Sequence, residues 1–128
     1  MRPKILTVDD ARTVRQLAEK ALSIYACDVS EATNGFNALF AMEKSLPDLI
    51  LLDTNMPVMG GLDLLRMMKG NPGLKALPII MLTSRTDHDI MAEITRLGVS
   101  GILLKPFTEA ALIEKVLGVI KLKPIKPN

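Results

Sequence analysis

Asp48-Leu49-Ile50-Leu51-Leu52-Asp53, followed by Thr54-Asn55-Met56-Pro57, decides the fold. The run from Asp48 to Leu52 is almost unbroken in its apolar character, and it is too short for a helix. A strand with one wet face would alternate polar and apolar residues; an unbroken one belongs to a parallel sheet covered on both faces. Pro78-Ile79-Ile80-Met81-Leu82 repeats the pattern. These two runs are therefore expected at the centre of the sheet.

Working outward, strand and helix signals alternate. Lys4 to Asp9 is a first short strand, and Val14, Leu17, Ala18, Ala21 and Leu22 make a helical stripe at i, i+3, i+4, i+7, i+8. Cys27 to Ala32 is a second, more polar strand, expected at an edge. Phe36, Leu39 and Phe40 mark a short second helix between Asn34-Gly35 and Pro47. Gly60-Gly61 opens a Leu- and Met-rich third helix that stops around Gly70-Asn71-Pro72-Gly73. Ile90, Ile94 and Leu97 mark the fourth, with Thr86 and Asp89 as a capping box and Gly98 just past its end. Ile102 to Leu104 is the fifth strand, and Ile113, Val116, Leu117 and Ile120 mark the last helix before Pro124. Five βα units with right-handed crossovers predict a doubly wound parallel α/β sheet in the order 2-1-3-4-5. Residues 1–122 are read as one domain, and residues 123–128 as a tail or linker stub.

Composition removes several classes of function. The chain has 128 residues, 48% of them hydrophobic, and a net charge of +2. Its positive sign comes from Lys121, Lys123 and Lys126, without which the sum is −1. Neither the charge nor the few aromatics (Tyr25, Phe36, Phe40 and Phe107) suits a nucleic-acid binder. One cysteine, Cys27, and one histidine, His88, exclude a disulfide framework and a Cys- or His-rich metal site. The longest apolar run near the start, Ile5-Leu6-Thr7-Val8, is too short for export or membrane insertion. The expected location is cytoplasmic, with Cys27 a free thiol.

In a sheet of this order, ligands bind beyond the carboxyl ends of the strands, where the strand order reverses. Asp9-Asp10 ends the first strand, Asp53 the third, Thr83-Ser84 the fourth and Lys105-Pro106 the fifth. Two carboxylates about 4 Å apart repel by roughly 4 kcal/mol at an effective dielectric of 20. Three in one cleft need cations: Lys105 supplies one charge, and a hard divalent ion bound by oxygens, Mg²⁺ or alternatively Mn²⁺, supplies more. A carboxylate so placed beside a lysine and a hydroxyl can accept a phosphoryl group.

Val8-Asp9-Asp10, Leu52-Asp53-Thr54-Asn55-Met56-Pro57, Leu82-Thr83-Ser84 and Leu104-Lys105-Pro106 together resemble the receiver domain of two-component response regulators. The single-domain chemotaxis-regulator class is the nearest type, and the resemblance runs from Lys4 to about Leu122. It implies a flavodoxin-like three-layer sandwich of five βα units that acts as a signalling switch rather than an enzyme. Asp53 corresponds to the phospho-acceptor, Asp10 to the direct metal ligand, and Asp9 to an acid acting partly through water. Asn55 corresponds to the residue whose backbone carbonyl binds the metal. Thr83 and Lys105 would meet the phosphoryl group, and Lys105-Pro106 would be a cis peptide. The implied donor is the phosphohistidine of a histidine kinase or histidine phosphotransfer protein. The implied output is a protein docking on the fourth helix, fifth strand and fifth helix.

Two positions depart from the family pattern. Ile102 stands where the family usually has an aromatic coupled to the threonine. Gly60 replaces a common Asp, so that Gly60-Gly61 reads as a looser turn. Asn55 and Arg85 flank the expected phosphoryl group, and the family tunes its hydrolysis there; Arg85 is expected to slow it. Ile102 favours a rival reading, a docking module independent of phosphorylation. A flavodoxin-like nucleotide binder fits less well, because Asp9-Asp10-Ala11-Arg12 replaces a glycine-rich phosphate loop. A haloacid-dehalogenase-type phosphatase needs a second Asp where Asn55 stands.

Overall fold

The computed structural model describes residues 2–84 and 88–125. Five parallel strands, β1 (Lys4–Val8), β2 (Asp28–Ala32), β3 (Leu49–Asp53), β4 (Ile79–Thr83) and β5 (Gly101–Leu104), form one sheet. Their order is β2-β1-β3-β4-β5, as the sequence predicts. The helices between and after them are α1 (Arg12–Leu22), α2 (Gly35–Lys44), α3 (Gly61–Lys69), α4 (His88–Leu97) and α5 (Glu109–Leu117). The fold is a three-layer, doubly wound, flavodoxin-like α/β sandwich.

Alternate side chains of the strands point to opposite faces, and each face has its own core. Ile5, Leu49, Leu51, Ile80 and Leu82 pack with Ala18, Ala21 and Leu22 of α1 and Leu112 and Val116 of α5. Leu6, Val8, Ile50, Leu52, Ile79 and Met81 pack under α2, α3 and α4. Every residue of β3 and β4 is buried, which accounts for their unbroken apolar runs. The polar strand β2 is an edge strand, as its composition implies. Gly98 ends α4 with a φ of +88°, its N–H bonded to the Ile94 carbonyl at 2.9 Å. Thr86, the proposed cap of that helix, lies outside the described residues.

The structure revises two helix faces. Phe36 and Phe40 are exposed, and α2 instead buries Gly35, Ala38 and Met42. On α5 the buried residues are Leu112 and Val116, while Leu117 is exposed. Beyond that helix the chain turns back. The Ala26 N–H donates to the Lys123 carbonyl and the Ile125 N–H to the Ile24 carbonyl, so residues 123–125 lie against the segment after α1.

Thr7 on β1 is wholly buried, and its hydroxyl has no hydrogen-bond partner among the described residues. A buried hydroxyl without a partner is costly, and removing it at constant shape relieves that cost. Thr7→Val is expected to stabilise the fold by about 1 kcal/mol, read as a higher urea midpoint with an unchanged slope. A lower midpoint would show that the hydroxyl is satisfied.

Candidate functional site

The topology brings the acidic residues together at the carboxyl edge of the sheet. β1 and β3 are neighbours in register, with Val8 opposite Leu52, so Asp9 and Asp53 leave the sheet side by side. Carboxylate oxygens of Asp9, Asp10 and Asp53 all lie within 4.8 Å of one another. Lys105, just after β5, reaches across the edge. Its Nζ donates to Asp9 Oδ2 at 2.8 Å and to Asp53 Oδ1 at 2.9 Å. The Lys105–Pro106 peptide is cis.

Asp9 is wholly buried, and its polar groups are all engaged. Its N–H donates to the Ala32 carbonyl at 3.1 Å, and Oδ1 accepts from the Ala11 N–H at 2.9 Å. Oδ2 accepts from Lys105, and its own carbonyl accepts from Arg15 Nη1 at 2.8 Å. Each Asp9 carboxylate oxygen thus already accepts one bond within the protein. Asp10, by contrast, is exposed and faces an open cleft of about 570 Å³ that Thr54, Asn55, Met56 and Pro57 also line. Neither acid caps α1: its N-cap is Ala11, without a side-chain cap bond.

Asp53 is 5% exposed and ends β3. Burial pushes its carboxyl up from 3.8 to about 6, with the Asp9 charge adding to the effect; the bonds from Lys105 and the Asn55 backbone N–H act the other way. Burial pulls the Lys105 ammonium down, but its bonds to Asp9 and Asp53 outweigh that and hold it above its ordinary value. The site thus holds more negative charge than its one lysine neutralises. Hard oxygen donors with excess negative charge fit a divalent cation of the Mg²⁺ type.

Thr83 is buried at the end of β4. Beside it lies Thr54, whose hydroxyl sits 3.4 Å from that of Thr83. Sequence reasoning passed over Thr54, although its place directly after Asp53 was the available signal. Ile102 of β5 is half-buried and packs against the core beneath α2, α3 and α4. Arg85 lies outside the described residues.

The Gly60-Gly61 turn is not loose. A Cβ on Gly61 would lie 1.8 Å from the Asp53 carbonyl oxygen and 2.8 Å from its carbonyl carbon. Gly61 is there because the start of α3 passes directly against the end of β3. Its N–H also bonds to the Thr54 carbonyl at 3.1 Å. In the same loop Val58 has a φ of 68°, an unusual backbone state for a β-branched residue.

The described residues contain no helix long and apolar enough to cross a membrane. Known proteins share both sequence and fold. The chain is 38% identical over 114 residues to the chemotaxis protein CheY-3 of Vibrio cholerae serotype O1, covering 88% of each chain. It is also 38% identical to the chemotaxis protein CheY of Pseudomonas aeruginosa, covering 88% of this chain and 92% of that one. The solved structure of the chemotaxis response regulator CheY4 of Vibrio cholerae superposes with a TM-score of 0.85 at 32% identity, over 94% of this chain and all of that one. Residues 5–117 match the response regulator receiver domain, and with the acid, lysine and threonine positions at one sheet edge, the chain belongs to that family of two-component signalling switches.

Proposed function

We propose that this receiver takes a phosphoryl group from the phosphohistidine of a histidine kinase or histidine phosphotransfer protein onto Asp53. An oxygen of the Asp53 carboxylate forms the new bond to phosphorus while the phosphorus–nitrogen bond of the donor breaks, and the departing imidazole takes up a proton. Lys105 then pairs with the phosphoryl oxygens, and the Thr83 hydroxyl bonds to them. Asp10, Asp53 and the backbone carbonyl of Asn55 would hold Mg²⁺, with Asp9 acting through water. Bound there, the ion would neutralise charge on the phosphoryl oxygens. Phosphorylation shifts a two-state equilibrium that controls partner binding, and the face built by α4, β5 and α5 is the proposed docking surface for the output protein. The observation that carries this reading is Lys105 bonded to both Asp9 and Asp53 beside the exposed Asp10.

Incubation with acetyl phosphate and Mg²⁺ should add one phosphoryl group, seen as a mass increase in the intact protein. Asp53→Asn or chelation of the metal should remove it. A protein that stays unmodified, and whose amide spectrum does not respond to beryllofluoride, would instead be the phosphorylation-independent docking module that Ile102 favours.

A further inference from the structure

Arg15 sits on α1, one turn beyond the acidic pair, and its side chain is only 14% exposed. Its guanidinium has two partners, one just past the end of β1 and one on β2. Nη1 donates to the Asp9 carbonyl at the end of β1 at 2.8 Å, and Nε lies 3.3 Å from Glu31 Oε1 on the edge strand β2. Glu31 directly precedes Ala32, whose carbonyl accepts the Asp9 N–H. The backbone of Asp9 is thus held on both sides, by β2 and by Arg15. The held segment then presents Asp9 Oδ1 to the Ala11 N–H and Asp10 to the cleft.

We infer that Arg15 is a positioning residue: it clamps the turn after β1 to the edge strand, so that the cation affinity of the acidic site depends on a residue that touches none of its carboxylates. A guanidinium can serve both partners because its donors form a rigid, planar fork; an ammonium on a flexible stem is a point charge and cannot span them in the same way. Outer partners that orient metal ligands commonly carry 10–100-fold of metal affinity. The inference rests on the metal half of the function proposed above.

Electrostatics and positioning predict opposite signs, which makes the idea testable. Arg15→Met removes a positive charge beside an acidic site, so charge alone would tighten cation binding, whereas loss of positioning weakens it. Arg15→Lys keeps the charge, so charge alone leaves affinity unchanged. We expect Mn²⁺ affinity, read from the electron paramagnetic resonance signal of free Mn²⁺, to fall about ten-fold in both variants. The metal-free protein gives a second reading. Exchange of the Ala11 amide should quicken about ten-fold in Arg15→Lys, while the amides of β3 keep their protection. Glu31→Gln, which weakens only the β2 end of the clamp, should quicken Ala11 exchange in the same way, and it keeps the test available where the Arg15 variants fail to fold. Tighter Mn²⁺ binding in Arg15→Met, or Ala11 exchange unchanged in both Arg15→Lys and Glu31→Gln, overturns the inference. A wild-type protein that binds no Mn²⁺ refutes the metal site proposed above, and Ala11 exchange still decides the role of Arg15.

Discussion

Gly61→Ala is expected to lower the melting temperature by more than about 10 °C. The added Cβ would sit 1.8 Å from the carbonyl oxygen of Asp53 and 3.1 Å from the Cα of Thr54. Both obstacles are backbone, so no side-chain rotation relieves the clash. The start of α3 and the end of β3 must separate, in a region where Leu64 and Leu65 are wholly buried. Overpacking of this kind costs about 3 kcal/mol or more, and for a domain of this size each kcal/mol moves the midpoint by roughly 4 °C. Gly60→Ala is the control. Its Cβ would come no closer to the backbone than 3.2 Å, at the Thr54 carbonyl oxygen, with Met56 N and O at an ordinary 3.9 Å, and Gly60 has an ordinary φ of −77°. A loss of less than about 1 kcal/mol is expected there. If the two variants melt together, the close approach of α3 to Asp53 is not what selects glycine at position 61. The Gly61 variant also displaces the Asp53 backbone, so any of it that folds should take up the proposed phosphoryl group poorly.

What could be read from the sequence follows from how each feature is encoded. β3 and β4 are legible because burial on both faces demands apolar residues at every position, and five adjacent residues carry that demand. The site is legible because its acids, hydroxyl and lysine fall at strand ends, where a parallel topology gathers them. The buried face of α2 was not legible, because Gly-Phe-Asn-Ala-Leu-Phe-Ala-Met supports two apolar stripes. The larger one, with Phe36 and Phe40, is outside. The smaller residues face inward because the Gly35 N–H reaches the Met59 carbonyl at 2.8 Å, and the Met59 side chain fills the space a Cβ at Gly35 would need. Gly61 was misread for a related reason: a glycine needed for close approach and one that loosens a turn look alike in one dimension. Nothing in the sequence marks Arg15, because its two partners, six and sixteen residues away, come together only when β1 and β2 pair.

In metal-free solution at pH 7, Asp53→Asn is expected to make the protein more stable, not less. Burial and the neighbouring Asp9 charge raise the Asp53 carboxyl from 3.8 to about 6 in the folded protein. Between those values the folded state holds the proton that the unfolded state has released. Stability contributed at this position therefore falls as pH rises from about 4 to about 6, and the full penalty stands at pH 7. A displacement of that size corresponds to at most about 3 kcal/mol. Asparagine removes the charge but keeps only a neutral bond to Lys105, so the net gain should be about 1–2 kcal/mol. Urea midpoints in EDTA should show the gain at pH 7 and its loss by pH 4. An equal gain at both values would mean that packing rather than charge is responsible. Excess Mg²⁺ should close the gap from the other side: ligand at a hundred times its Kd stabilises the wild type by roughly 2.7 kcal/mol, whereas Asp53→Asn has lost one of the proposed metal ligands. The same crowding of Asp9, Asp10 and Asp53 around one lysine that weakens the empty fold is what would draw a divalent cation into the cleft. A sequence that relaxed it for stability would give up the charge that the proposed cation site depends on.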